Sequence, residues 1–175
     1  MIVALDNTLL TLLLNPSAPP PLDPSTGRPV SSCEARVKGL IEDIEARSGK
    51  VIIPSPSLAE ALAAVPSLEN AMDVLNSSTA IRIVAFDQRC AIELAEVTRL
   101  AKENGTLKSK EFGPRQAIKN DRQIAVTAKV NKADIIYTDD DRQTHFAEEI
   151  GLAVKHTWEL PIPARYAQGK LNLAD

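Results

Sequence analysis

The chain has 175 residues, 44% hydrophobic and 25% charged, with a formal net charge of −3. That length suits one domain able to bury a sizeable core, and the composition excludes global disorder. No apolar run approaches the roughly 18–20 residues of a membrane span, and the small net charge advertises neither a nucleic-acid nor a membrane surface.

The first 15 residues are apolar but carry Asp6 and lack a basic leading region, so they do not read as a signal peptide. Ile2–Leu5 reads as a buried strand, followed by a helix over Asn7–Leu14. Residues 15–30 break the pattern: Asn15–Pro29 holds six of the twelve prolines, whose backbone lacks donors and resists helix and sheet. This predicts an exposed loop inserted before the second helix. In that helix Val37, Leu40, Ile41 and Ile44 share one face; Ser31 and Glu34 suit a capping box, and Ser48-Gly49 a stop. A strand follows at Lys50–Ile53, then two short helices, Ser57–Val65 and Leu68–Leu75, split by Pro66. The pattern continues with a strand at Ile81–Ala85 and a long amphipathic helix, Asp87–Asn104, closed by Gly105. A helix over Asp121–Lys132 leads to a strand at Asp134–Tyr137. A helix over Thr144–Ile150, ended by Gly151, leads to a last strand at Leu152–Val154.

This alternation predicts one α/β domain over residues 1–160, with a mainly parallel sheet of about five strands and helices on both faces. Residues 161–175 are a weakly patterned tail. Cys33 and Cys90 are too few for a disulfide framework or a zinc site. Both fall in helical patterns and point to a reducing compartment, the cytoplasm.

Ligands of open α/β sheets bind outside the carboxyl ends of the strands. Asp6 directly follows the first strand, and Asp139, Asp140 and Asp141 follow the fourth. Glu60 lies one turn into the helix after the second strand, and Asp121 opens the helix before the fourth. Converging carboxylates repel, and a divalent cation relieves the repulsion. Hard oxygen donors suit Mg²⁺ or Mn²⁺, which can assist phosphodiester cleavage. Each acid also has a bland reading. Asp6 suits an N-cap, and Glu60 a capping box with Ser57 unless Ser55 caps with Pro56 as first helical residue. Asp121 suits a helix dipole with Asn120 as cap and Gln123 completing the box, and Asp139–Asp141 a solvated loop that caps the next helix.

The stretches IVALDNTLLTLLLN, VIIPSPSLAEALA and NDRQIAVTAKVNKADIIYTDDD resemble the three acidic motifs of the PIN-domain family, from Met1 to about Val154. The resemblance implies a metal-dependent nuclease acting mostly on RNA, often a VapC-type toxin paired with an antitoxin, and often a dimer. Carried over by position, the catalytic and metal-binding acids are Asp6, Glu60, Asp121 and Asp140, with Asp139 and Asp141 as register alternatives, and Thr138 in support. Thr138 equally suits a strand-end hydroxyl bonding to backbone. Two departures stand out. Asn7-Thr8 alters the order of the small polar pair after the first acid, and Arg142 replaces a frequent further acid.

Between Lys108 and Lys132, seven basic residues face two acidic ones, a local charge of +5 that leaves −8 elsewhere. Lys108, Lys110, Arg115, Lys119 and Arg122 therefore suit an RNA backbone, or equally a solvated face. His145 and His156 read as surface or packing residues. A rival reading keeps the fold as a catalytically inactive scaffold binding RNA or protein. A haloacid dehalogenase-type phosphatase, suggested by Leu5–Leu9, fails because Ala4 stands where that chemistry needs a nucleophilic Asp.

Overall fold

The computed structural model describes residues 1–104 and 115–167, with the side chains of 115–117 and 167 outside the description. Its strands are β1 (Ile2–Leu5), β2 (Lys50–Pro54), β3 (Ile81–Val84), β4 (Ile135–Tyr137) and β5 (Ala153–Lys155). They form one parallel sheet in the order β3-β2-β1-β4-β5, with Val3 opposite Val51 on one side and Ile135 on the other. The helices are α1 (Asn7–Leu14), α2 (Cys33–Ala46), α3 (Ser55–Ala63), α4 (Leu68–Asn76), α5 (Gln88–Glu103), α6 (Arg115–Val130), α7 (Asp141–Glu149) and α8 (Ala164–Ala167). Among the described residues no helix is long and apolar enough to cross a membrane.

Both faces of the sheet are covered, and the strand pleat divides the core between them. Val3, Leu5, Val51 and Ile53 pack under α1 to α4 with Leu9, Leu10, Leu13, Val37, Ile44 and Leu75. Ala4, Ile52 and Ile136 face the other way, against Cys90, Ile124, Ala125, Ala128, Phe146 and Ala147 of α5 to α7. Burying each large aliphatic chain contributes roughly 1.5–3 kcal/mol, so the apolar central strand fixes the position of whatever follows Leu5.

Several local expectations change. The Ser31–Glu34 box does not form: Ser32 precedes α2 in the left-handed region (φ 56°) without a side-chain cap bond, and Glu34 pairs with Lys38. At the other end Ser48, not the glycine, takes positive φ (55°). Gly49 is needed for space, because a Cβ there would lie 2.8 Å from the Met1 carbonyl oxygen. The proline segment is exposed along most of its length, yet Leu22 and Pro29 form an antiparallel bridge and Val30 packs with Leu12 and Cys33, beside Trp158. Residues 160–165 run along α2: the Leu160 carbonyl accepts from Arg36, Pro163 sits against Gly39, and Arg165 pairs with Glu42.

Candidate metal centre

The chain steps from β1 to β2 and β3 on one side, then crosses to β4 and β5 on the other. The topological switch point therefore lies outside the carboxyl ends of β1 and β4, where a crevice opens in such sheets. Asp6 leaves β1 there, its backbone N–H donating to the Tyr137 carbonyl of β4 at 3.0 Å. Its side chain is 1% exposed and makes no cap bond to α1, although the residue occupies the N-cap position. Instead Oδ2 accepts the Thr138 hydroxyl at 2.7 Å, with the Thr8 hydroxyl at 3.4 Å. Oδ1 is buried with no hydrogen-bond partner. Burial foremost pushes the Asp6 pKa up to about 7, with the Thr138 hydroxyl and the Asn7 backbone N–H opposing it and repulsion from Asp140 and Asp121 adding to it.

The three successive acids after β4 have separate tasks. Asp139 accepts from the Thr157 backbone N–H at 2.8 Å and from its hydroxyl at 2.6 Å. It thereby holds the 3₁₀ turn Thr157–Glu159 that follows β5. Asp141 is exposed on the first turn of α7. Asp140 caps α7, its Oδ1 accepting from the backbone N–H groups of Arg142 and Gln143 at 2.8 and 3.0 Å. Burial alone would raise the Asp140 pKa, but the Gln143 N–H and the Arg142 side chain hold it below the usual carboxylate value. It is Asp140 that Asp6 and Asp121 both feel.

Asp121 does not open its helix. α6 begins at Arg115, and Asn120 turns its side chain to Glu60 (2.5 Å) instead of capping. Asp121 sits three, four and seven residues before Ile124, Ala125 and Ala128, so it extends the buried stripe of α6 toward the switch point. Burial, then Asp140, raises its pKa to about 6, with Arg142 opposing and Glu60 adding. α3 begins at Ser55, with Pro54 in the cap position, so neither expected cap forms; the Ser55 hydroxyl accepts from the Phe86 N–H at 3.2 Å. Glu60 is accordingly spared from a capping box, and its two oxygens accept from Asn7 and Asn120, each at 2.5 Å.

Asp6, Glu60, Asp121 and Asp140 thus fall within electrostatic reach at one sheet edge, from four different elements. Arg142 enters the same cluster, 3.2 Å from Asp140 and 3.8 Å from Asp121. The all-oxygen donor set and the orphaned Oδ1 of Asp6 fit a hard divalent cation. Among the described residues no three His, Cys, Asp or Glu side chains stand as a ready-made group able to hold a metal ion. Sequence reasoning did not assign Asn7, Asn120 or Arg142 these parts; the one signal for them was adjacency to a candidate acid.

The basic residues are only partly in view. Lys108 and Lys110 lie outside the described residues, as does the side chain of Arg115. Lys119 is exposed one turn before Gln123, and Arg122 lies over the Phe146 ring at 5.4 Å. Lys129 pairs with Glu93 at 2.8 Å. His156 stacks on Trp158 (centroids 4.3 Å apart) with Nδ1 2.6 Å from the Thr138 carbonyl oxygen, and His145 is exposed on α7.

The family model described as PIN domain matches residues 33–149, about two thirds of the chain. The match begins after Asp6, so the fold, not that match, joins Asp6 to the later acids. No curated protein matches in sequence. Among solved structures, the chain is similar to one in the crystal structure of VapBC2 from Rickettsia felis bound to a DNA fragment from their promoter. The TM-score there is 0.57 at 16% identity, covering 89% of this chain and 98% of that one. It is also similar to one in the structure of DNA-bound VapBC from Salmonella typhimurium, with TM-score 0.54 at 16% identity, covering 90% and 98%. At this identity the likeness is one of fold.

Proposed function

Because this chain belongs to the PIN domain family, we propose that it is a metal-dependent endoribonuclease hydrolysing RNA phosphodiesters, the toxin of a toxin–antitoxin pair. Asp6, Glu60, Asp121 and Asp140 would hold Mg²⁺ or Mn²⁺. The observation that carries this reading is the buried, partnerless Oδ1 of Asp6 at the switch point, in electrostatic reach of Asp121 and Asp140. When bound, the ion supplies Lewis-acid stabilisation of the charge that develops on a phosphate group.

The chain's own residues prepare that site. Thr138 fixes Oδ2 of Asp6 and leaves Oδ1 buried without a hydrogen-bond partner. Asn7 and Asn120 orient Glu60, and the first turn of α7 orients Asp140. Exposed Lys119, with the other basic residues of its window, would attract the RNA backbone. Neither histidine takes part in this scheme. The two VapBC structures support an antitoxin as partner; a homodimer and a cytoplasmic location complete the proposal.

One observation favours the rival scaffold reading: both oxygens of Glu60 and of Asp140 already accept hydrogen bonds within the protein. Cleavage of total RNA with Mn²⁺ or Mg²⁺, with and without EDTA, separates the two. Wild type is expected to cut only with metal, and Asp6→Asn and Asp121→Asn to lose both cleavage and calorimetric Mn²⁺ binding. Cleavage that persists in both variants, or a wild type that binds no Mn²⁺ and cuts nothing, would refute the nuclease.

A further inference from the structure

We propose that Arg142 is a resident counter-cation of the acid cluster, which a divalent ion must displace from Asp140 and Asp121 in order to bind. The inference rests on the metal-centre reading of those acids and adds a competitor to it. Three observations carry it.

The first is position. Arg142 is the second residue of α7, and its backbone N–H donates to Oδ1 of Asp140 at 2.8 Å, which fixes the root of its side chain beside the cluster. The second is which oxygens it takes. Oδ1 of Asp140 is occupied by two backbone donors, so Oδ2 is the oxygen left for a cation, and Arg142 Nη2 lies 3.2 Å from it. Nε of the same guanidinium lies 3.8 Å from Oδ2 of Asp121. A divalent ion joining these two carboxylates would need the lone pair of Asp140 Oδ2 that the guanidinium already uses and the space it occupies beside Asp121.

The third is burial. The side chains of Asp121, Asp140 and Arg142 are 16%, 30% and 34% exposed, so the pairing is partly withdrawn from water and less screened than a surface ion pair. A guanidinium keeps its charge at every working pH. Loading the site therefore means ejecting a permanent cation, which no change of working pH removes. Arg142 would thus set the divalent-ion concentration at which the centre fills.

Calorimetric titration of the full chain with Mn²⁺, without nucleic acid, tests this on wild type, Arg142→Ala and Arg142→Gln. Both variants are expected to bind Mn²⁺ about tenfold more tightly than wild type, with unchanged circular dichroism. A residue that merely held the fold would weaken binding when truncated, so tighter binding marks Arg142 as a cation that opposes the incoming ion. Wild-type binding with unchanged or weaker affinity in both folded variants overturns the role of Arg142 and leaves the metal centre standing. Absence of Mn²⁺ binding in all three proteins overturns the metal centre and this inference together.

Discussion

Replacing Asp6 by Asn puts the buried carboxylate to a quantitative test that needs no activity. The folded protein holds the Asp6 proton with a pKa of about 7, against an ordinary value of 3.8. The folded state therefore binds this proton more tightly than the unfolded chain does. The contribution to stability is fully present below about pH 3.8, declines as pH rises, and is gone above about pH 7. The whole span is worth about 4 kcal/mol, of which more than half falls between pH 5 and pH 8. An asparagine has no such titration. Its amide brings a different cost, about 1–3 kcal/mol for a buried donor without a partner, but that cost does not vary with pH. Urea unfolding in EDTA at both pH values, on wild type and Asp6→Asn, isolates the carboxylate. The stability of the variant relative to wild type should be about 2–3 kcal/mol more favourable at pH 8 than at pH 5. Parallel pH profiles for the two proteins would refute the idea that Asp6 is ionised at a cost in the metal-free fold.

Two further outcomes follow from the same electrostatics. Near neutral pH a metal-free cluster holds part of a proton on Asp6, and more as the pH falls toward 6, where Asp121 also titrates. Mn²⁺ binding should therefore release protons at pH 7 and more of them at pH 6, read from calorimetric heats in buffers of different ionisation enthalpy; heats independent of buffer would exclude both groups from the ligand set. Asn120→Ala removes the donor to Oε1 of Glu60 and should lower Mn²⁺ affinity about 10- to 100-fold with the melting transition still cooperative, whereas unchanged affinity would place Glu60 outside the site.

Much of the fold was legible because its signals are local. Ile2–Leu5, Lys50–Pro54 and Ile81–Val84 are short apolar runs, and the parallel sheet follows from their alternation with helices. Where local chemistry and tertiary contact compete, the sequence misleads. Asn120-Asp121 followed by Gln123 has the composition of a helix start, yet residues 115–120 are already helical and Asn120 bonds to Glu60, 60 residues away, instead of capping. The same holds for the site. The acids could be placed because strand ends converge at a switch point. Their hydrogen-bonding and ion-pair partners could not, since Asn7 and Asn120 meet Glu60, and Arg142 meets Asp121, across elements whose approach no local pattern encodes.

The run of three aspartates shows how a composition that looks degenerate is resolved by geometry. In extended backbone, successive side chains point to opposite sides. Thr138 emerges from β4 with its hydroxyl on Asp6, and it also accepts the Asp140 backbone N–H at 3.1 Å. Asp139 must then point away, and there it holds Thr157 in place. Asp140 returns to the side of Thr138, facing Asp6 and Asp121. Once one hydroxyl is tied to the first acid, the period of two turns the middle one, Asp140, toward Asp6 and Asp121. The register follows from Thr138, the residue whose hydroxyl holds Asp6, and not from any difference among three identical carboxylates.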